Sequence, residues 1–287
     1  MSEAKDSIFR AMTDDGAFRV VTLRATNTVT GVLSAQNARG STARHLGDLV
    51  AGAVLVRETM SPQLRVQGIL KQRDKAGYLL GDSHPSGHTR GLVSGKVDDS
   101  FVMENALLQM VRTLQDGRIQ QGVVAIADNA SVSEGLMAYM QESEQITTMI
   151  VVGTLFDPNA PEPGVVVSGG YLIQLLPGVG RGPLMLMSER LEDFRNIDSL
   201  LLAPDFTPQG LAQELLWGMP FTELEHSSFD YHCWCSRASM LGALASLKRE
   251  DIQDLVADGQ VLEISCEYCR REFHVPPAEL TGLLDSN

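Results

Sequence analysis

The chain has 287 residues, of which 44% are hydrophobic and 21% are charged, so it is long enough for two domains of unequal size. Its 36 acidic residues outnumber the 23 basic residues, which gives a net charge of −13. Nucleic acids attract clustered Lys and Arg, which this sequence lacks, and no apolar run has the length of a membrane span. We therefore expect neither nucleic acid nor a membrane as the main partner.

Strand-like and helix-like segments follow one another irregularly in the first part of the chain. Runs of β-branched and aromatic residues between turn residues predict strands at residues 18–23, 64–70, 78–81, 111–114, 121–126 and 147–156. Apolar periodicity predicts one helix capped by Ser41 or Thr42 and another over residues 131–144. Because strands and helices do not alternate regularly, we expect an α+β core domain over residues 1–177.

A turn-rich stretch at residues 177–183 marks a boundary, and residues 178–230 form a candidate helical linker. This segment has three basic and nine acidic residues, yet it also has apolar stripes. Thr207 as the cap and Pro208 at the first position predict a helix. The apolar faces must be covered by the core domain or offered to a partner. The residues concerned are Leu200, Leu201, Leu202, Leu211, Leu215, Leu216 and Trp217.

All four cysteines lie in residues 231–287, in a C-x-C pair and a C-x-x-C pair. In extended backbone, residues i and i+2 project to the same side, and C-x-x-C is a common metal knuckle. Two such pairs supply the four sulfurs that Zn²⁺ prefers. The sequence therefore predicts one zinc ion per chain in the reduced protein, bound by Cys233, Cys235, Cys266 and Cys269.

A unit as small as residues 231–287 buries little apolar surface, which is a second reason to expect a metal. Small domains usually need a disulfide or a metal ion to be stable, and structural zinc contributes about 10–16 kcal/mol to the folding of small peptides.

The first six residues include acids and no apolar stretch, so we expect no secretory signal, a cytoplasmic protein and reduced cysteines. The spacing leaves open whether the site is an inert knuckle or an oxidation-sensitive switch, because paired thiolates can serve either purpose.

Several phrases of the sequence resemble the thirty-three-kilodalton heat-shock protein family of redox-regulated holdase chaperones. The phrases that carry the resemblance are Cys233-Trp234-Cys235-Ser236-Arg237, Asp258-Gly259-Gln260, Cys266-Glu267-Tyr268-Cys269 with Phe273, Tyr139 with Ser143-Glu144-Gln145-Ile146, Gln121-Gly122-Val123-Val124 and residues 169–177. They span nearly the whole chain. Trp234 stands where the family often has a small or polar residue, and residues 237–240 replace a more charged run. Neither departure removes a cysteine.

The resemblance implies a core domain, a metastable linker and a zinc module, at residues 1–177, 178–230 and 231–287. It implies that the reduced, zinc-loaded protein is inactive. Oxidation would then form the Cys233–Cys235 and Cys266–Cys269 disulfides, release zinc and unfold the last two parts. The active form would dimerise, hold unfolding clients without ATP and hand them to ATP-dependent chaperones. No catalytic residue is implied, and the linker residues named above become the candidate client-binding surface.

Rival interpretations have weaker support. A zinc-ribbon adaptor for nucleic acid conflicts with the acidic charge, and a dithiol oxidoreductase would need a βαβ context around Cys266 and Cys269. His84 and His88 are separated by helix-breaking residues, so they need not share a face. Residues 178–182 are rich in glycine but lack the lysine of a phosphate-binding loop. The adjacent glycines at positions 169 and 170 are predicted to allow close backbone packing or a positive φ.

Overall fold

The structure is a computed structural model that describes residues 5–60, 64–73, 76–95, 97–114, 116–160 and 164–285. The chain forms two compact units, Met1–His232 and Cys233–Asn287. Both combine helices with antiparallel strands, which confirms the predicted α+β class. The finer division into core, linker and zinc module stays a prediction.

The first unit contains most of the regular structure. Its elements in chain order are β1 (Ser7–Thr13), β2 (Phe18–Arg24), α1 (Thr26–Gln36), α2 (Gly40–Glu58), β3 (Arg65–Gln72), β4 (Tyr78–Ser83), β5 (His88–Ser94), β6 (Ala106–Thr113), β7 (Ile119–Ala125), α3 (Val132–Glu142), β8 (Thr148–Phe156), β9 (Val165–Leu175), α4 (Arg181–Asp193), α5 (Ile197–Leu201), α6 (Pro208–Leu215), β10 (Phe221–Glu223), β11 (Ser227–Ser228) and β12 (Asp230–Tyr231). Every predicted strand overlaps an observed one.

Two sheets are built from these strands. The first has the order β10-β1-β2-β9-β8, with β11 also paired to β1, and its pairs are antiparallel. The second has the order β12-β5-β4-β3-β6-β7, in which only the short pairing of β12 with β5 is parallel among the described strands. The parallel pair joins the last residues of the first unit to the sheet.

Helix α2 is at the centre of the main hydrophobic core. It packs against strands of both sheets, and its residues 49–56 are all buried. A helical segment that is apolar on all sides is stable only where it is enclosed, which is the situation of residues 49–56 of α2.

The predicted cap of α2 is wrong. The helix begins at Gly40 with Arg39 in the N-cap position, and no side chain caps it. The Ser41 hydroxyl donates a 2.7 Å hydrogen bond to the Phe101 carbonyl oxygen, and the Thr42 hydroxyl donates to the Asp98 carbonyl oxygen. Both hydroxyls therefore bind a distant segment of the chain instead of the first turn of the helix.

The predicted helix over residues 131–144 and the predicted Thr207 cap are both confirmed. The first helix, α3, has Ser131 as its cap, which accepts a hydrogen bond from the Glu134 N–H while the Glu134 carboxylate accepts one from the Ser131 N–H. Thr207 caps α6 by accepting a 3.0 Å hydrogen bond from the Gly210 N–H, and Pro208 occupies the first helical position.

A second core cluster lies between the first sheet and helices α4 to α6. The buried residues that these helices contribute are Met187, Ile197, Leu201, Leu211, Ala212 and Leu215. Two side-chain hydrogen bonds tie the same helices to the sheet. The Thr22 hydroxyl donates to the Pro208 carbonyl oxygen at 2.6 Å, and the Tyr171 hydroxyl donates to the Phe194 carbonyl oxygen at 2.9 Å.

The two glycines predicted to permit close packing lie on β9, in the middle of the first sheet. A Cβ atom on Gly169 would lie 2.6 Å from the Leu23 carbonyl oxygen, and one on Gly170 would overlap the Val151 carbonyl oxygen. Neither glycine has a positive φ. Close backbone approach is therefore the reason for this pair.

The second unit is smaller. Its elements are α7 (Arg237–Ala245), α8 (Arg249–Ala257), β13 (Leu262–Ser265), β14 (Glu272–Val275) and α9 (Pro277–Asp285), with β13 and β14 paired as an antiparallel hairpin. Its main hydrophobic cluster contains the buried residues Leu244, Val275 and Leu280 with partly buried side chains around them, and Ile252, Cys266 and Phe273 are buried as well. Among the described residues of the whole chain, no helix combines the length and apolarity needed to cross a bilayer.

Candidate metal centre

The four cysteines are positioned by two local structures. Cys233 and Cys235 lie in the irregular segment before α7, and Ser236 then caps that helix by accepting a hydrogen bond from the Ser239 N–H. Cys266 and Cys269 lie in the turn between β13 and β14.

The hairpin turn is closed by backbone hydrogen bonds around the second pair. The Cys266 N–H donates to the Arg271 carbonyl oxygen at 2.9 Å, and the Arg270 N–H donates to the Cys266 carbonyl oxygen at 2.8 Å. Arg270 has a φ of 58°, which turns the chain sharply after Cys269. This tight turn directs both sulfurs of the C-x-x-C pair to the same place.

All four sulfur atoms lie within 4.8 Å of one another, and none is in a disulfide. The Cys233 and Cys266 sulfurs are 3.7 Å apart, and the Cys235 and Cys269 sulfurs are 3.4 Å apart. Zn–S bonds of about 2.3 Å in a tetrahedron place sulfur atoms about 3.8 Å apart. The observed cluster therefore has the size and the donor type for one thiophilic metal ion.

The electrostatics of the cluster also favour a cation. Burial raises the pKa of the Cys235 thiol, and hydrogen bonds with the neighbouring cysteines raise it further. Burial likewise raises the pKa of Cys269. Four crowded sulfurs are thus unfavourable as thiolates on their own, because each negative charge repels the next, and a bound divalent cation would offset that repulsion.

Neither neighbouring histidine belongs to this cluster. His274 faces Glu263, with 3.8 Å between its Nδ1 atom and a carboxylate oxygen, and the ring of His232 lies against that of His88, with centroids 4.1 Å apart. Among the described residues, the four cysteines are the group of three or more His, Cys, Asp or Glu side chains whose ligand atoms converge.

The other polar motifs of the sequence have structural roles. The Nδ1 atom of His84 is 2.9 Å from the Ser86 hydroxyl oxygen, within its own turn. Glu144 accepts hydrogen bonds from the Tyr139 hydroxyl and from Arg112, which fixes the end of α3 against β6. In residues 178–182, Gly180 is the N-cap of α4.

Comparison with known proteins decides the family. The family model described as "Hsp33 protein" matches residues 6–276. The chain belongs to the Hsp33 family. Proteins named 33 kDa chaperonin are similar to it over almost their full length: that of Syntrophotalea carbinolica is 25% identical over 98% of this chain and 99% of its own, and that of Shouchella clausii is 26% identical over 98% of both chains.

A solved structure has the same fold. The crystal structure of the 33 kDa chaperonin (Hsp33 homolog) from Thermotoga maritima superposes with a TM-score of 0.84, covering 99% of both chains at 20% sequence identity. The Hsp33 family assignment makes this protein a chaperone by family. The four clustered cysteines fit a metal-binding and redox role in it.

The linker residues predicted to bind clients are divided between buried and exposed positions. Leu201, Leu211, Leu215 and Leu216 are buried in the second core cluster, and Leu200 is partly buried beside them. Leu202 and Trp217 are exposed, at 59% and 73% of their surface. A client-binding role for the buried leucines would require α5 and α6 to leave the sheet.

No local sequence pattern indicates the two hydrogen bonds that tie helices α4 and α6 to the first sheet. Thr22 and Tyr171 are core residues whose hydroxyls donate to carbonyl groups of residues 208 and 194, far away in sequence. A threonine in a strand and a tyrosine in an apolar run are common in any sheet, so no local signal distinguishes these two.

Proposed function

We propose that this protein is a redox-regulated, ATP-independent holdase, which binds unfolding proteins after its cysteines are oxidised. Membership of the Hsp33 family supports chaperone activity. The observation that carries the redox control is the convergence of four thiols in a unit with a very small core. A change at those sulfurs would remove most of what stabilises that unit.

In the reduced state, Cys233, Cys235, Cys266 and Cys269 would hold one Zn²⁺. The ion would keep the sulfurs deprotonated and would link the segment before α7 to the β13–β14 turn. The exposed apolar surface would then be limited, because α5 and α6 keep their leucines against the sheet. We expect this state to be inactive towards clients.

Oxidation by a peroxide would take place on the sulfurs. A thiolate attacks one peroxide oxygen, the O–O bond breaks, and a sulfenic acid and hydroxide form. A second thiolate then attacks the sulfenic sulfur, an S–S bond forms and hydroxide leaves. Formation of each disulfide removes two electrons from a pair of thiolates and reduces one peroxide molecule. The two hydroxide ions that result become two water molecules after protonation.

We propose Cys233–Cys235 and Cys266–Cys269 as the disulfides, following the family resemblance. The sulfur atoms of Cys233 and Cys266 lie 3.7 Å apart and those of Cys235 and Cys269 lie 3.4 Å apart, so the alternative pairing between these residues is also within reach. Mass spectrometry of peptides from oxidised, unreduced protein distinguishes the two pairings. Either pairing removes all four thiolate ligands and would therefore abolish metal binding.

Loss of the metal would unfold residues 231–287, because the free energy of unfolding of a small domain is only a few kcal/mol and the bound zinc contributes more than that. The linker would then lose its support and expose the leucines of α5 and α6. The acidic residues around them would keep the opened protein in solution. We further propose that the oxidised form dimerises, acts in the cytoplasm and passes its clients to ATP-dependent chaperones.

Light scattering of a heat-denatured client tests the proposal. Reduced protein should leave client aggregation unchanged, peroxide-treated protein should suppress it without ATP, and reduction with a dithiol should reverse the effect. The control is a variant with all four cysteines changed to serine, measured before and after peroxide. Suppression by reduced wild-type protein at the oxidised level would contradict redox control. Insulin reduction by the protein would favour a dithiol oxidoreductase instead.

A further inference from the structure

A cluster of three arginines lies in the first unit, far from the cysteines in sequence. Arg10 of β1, Arg19 of β2 and Arg57 near the end of α2 line a cavity of about 380 Å³, together with Glu58 and residues of β11 and the loop before it. Because the three are separated by up to 47 positions, the sequence contains no basic stretch that would reveal them. In a chain with a net charge of −13, such a convergence requires an explanation.

Among the described residues, one acidic side chain, that of Glu58, is bound to these arginines. Glu58 accepts a 2.7 Å hydrogen bond from Arg10 Nε and also pairs with Arg57, while its backbone carbonyl oxygen accepts a 2.7 Å hydrogen bond from Arg19. Glu225 also borders the cavity, but Arg10 contacts its carbonyl oxygen, and its side chain belongs to an exposed residue. Three guanidinium charges thus meet one enclosed carboxylate.

Two of the three arginines keep donor groups that no described residue accepts from. The terminal nitrogens of the 95% buried Arg57 donate to the His84 carbonyl oxygen and to Glu58, whereas its enclosed Nε atom has no hydrogen-bond partner among the described residues. Arg19 makes one side-chain hydrogen bond to a described residue, which leaves most of its five N–H donors for a ligand. Burial lowers the pKa of both guanidinium groups, the charge of Arg10 lowers it further, and Glu58 opposes the change.

We propose that this cavity binds a small phosphate-class dianion, held by Arg19 and Arg57 with Arg10 at its edge. Two charges remain after Glu58 offsets one, and a phosphate group at neutral pH has a charge of about −1.5 to −2. The planar fork of arginine matches phosphate oxygens in a bidentate manner. The volume is at the lower end of the range for small-molecule sites, which suits an inorganic phosphate, a pyrophosphate or the phosphate end of a nucleotide.

Anion binding would also affect the segment that leads to the cysteines. Arg10 donates 2.7 Å hydrogen bonds to the Glu225 carbonyl oxygen and the Ser227 hydroxyl, so it joins the cavity to the chain just before β12. A bound dianion would fix the position of Arg10 and its neighbours. Residues 225–228 should therefore exchange backbone hydrogens more slowly when the site is filled.

Calorimetric titration of the full-length, reduced protein tests the site, with phosphate, pyrophosphate and ADP at constant ionic strength. Saturable binding of at least one is expected. Arg19→Gln should weaken it about tenfold or more, because a charged, bidentate donor is lost. Arg118→Gln is the matched control, since the Arg118 side chain is 78% exposed and pairs with Asp116. Tighter binding of ADP would assign the site to a nucleotide, and tighter binding of pyrophosphate to an inorganic anion.

A second variant distinguishes a loss of anion binding from a loss of folding. Arg19→Lys keeps the charge and should keep the melting temperature, but it should weaken phosphate binding because an ammonium lacks the bidentate fork. Hydrogen exchange of residues 225–228 should slow with ligand in the wild type and in Arg118→Gln only. Any of three results would overturn the proposed site. These are no saturable binding to the wild type, equal affinity of Arg19→Gln and the wild type, and stabilisation of the protein by chloride equal to that by phosphate.

Discussion

The ring of Tyr231 lies directly against the backbone of Gly31. A Cβ atom at Gly31 would be 2.6 Å from Cδ1 of Tyr231 and 2.9 Å from its Cβ, so helix α1 tolerates no side chain there. Tyr231 belongs to β12, and the next residue, His232, donates a 3.0 Å backbone hydrogen bond to the Thr89 carbonyl oxygen. The segment that immediately precedes Cys233 is therefore held in the first unit by the contact of Tyr231 with α1 and by backbone hydrogen bonds to β5.

Replacing this glycine should loosen the end of the first unit. In Gly31→Ala, the added methyl group displaces Tyr231 and disrupts the pairing of β12 with β5, at a cost of about 1–3 kcal/mol. Backbone hydrogen exchange of residues 230–232 in the reduced protein should accelerate, and less peroxide should be needed for half-maximal chaperone activity. Gly182→Ala is the control, because a Cβ there meets no atom within 4 Å. Unchanged exchange in Gly31→Ala would show that the contact does not hold β12.

Removing one hydroxyl should weaken the linker's attachment. Tyr171→Phe eliminates the 2.9 Å hydrogen bond to the Phe194 carbonyl oxygen at the end of α4 and keeps the buried ring. We expect a loss of about 1 kcal/mol and faster proteolysis within residues 181–201 of the reduced protein. Tyr78→Phe is the matched control, since its hydroxyl makes no hydrogen bond to a described residue. Equal proteolysis of both variants would contradict a role for Tyr171 in holding the linker.

Each cysteine should be required for metal binding. Elemental analysis of freshly reduced protein should give one zinc per chain, and Cys266→Ser should lose most of it, because hydroxyl oxygen is a poor replacement for a thiolate. Residues 233–285 should unfold at lower temperature in this variant. Ser246→Ala, in the same unit, should keep the metal. An unchanged zinc content in Cys266→Ser would rule out the four-sulfur site.

A buried carboxyl group should make stability depend on pH. Burial raises the pKa of Asp48 from 3.8 to about 7, nearby Asp198 of α5 adds to this rise, and Thr154 and Arg44 oppose it. Between these two values the folded protein holds a proton that the unfolded chain has lost, so this group lowers stability as pH rises from about 4 to 7. Deprotonation also places a second negative charge near the linker helix.

Urea unfolding of wild type and Asp48→Asn between pH 5 and 8 measures this effect. The wild type should lose stability relative to Asp48→Asn as the pH rises, because the amide stays neutral. Asp116→Asn is the control, since the Asp116 side chain is 50% exposed. Parallel curves for wild type and Asp48→Asn would show that Asp48 does not take up a proton on folding.

The cysteine cluster could be predicted from the sequence because its geometry is local. Each pair is separated by one or two residues, so an extended segment and a tight turn bring its sulfurs together wherever the unit lies. The capped helices α3 and α6 are similar cases, because the partner of the Ser131 or Thr207 side chain is three residues away. Interactions at such short range leave a sequence pattern.

Interactions between distant segments left no such pattern. Ser41 has the ordinary sequence context of a helix cap, but its hydroxyl binds Phe101, and only the tertiary fold brings that carbonyl near. Strand β1 is not predicted because its polar and apolar residues do not alternate clearly in sequence, yet it pairs with β2, β10 and β11. The arginine cavity depends on the same kind of distant convergence, with Arg19 and Arg57 brought together only by the fold.

We propose that oxidation of the four cysteines unfolds the last part of the chain and thereby exposes client-binding surface. Hydrogen exchange of residues 178–285, measured in reduced and in peroxide-treated protein alongside client light scattering, tests it most directly. We expect protection to be lost across residues 233–285 and across the leucines of α5 and α6 at the peroxide dose that suppresses client aggregation. Full protection of these residues in protein that suppresses aggregation would contradict the mechanism.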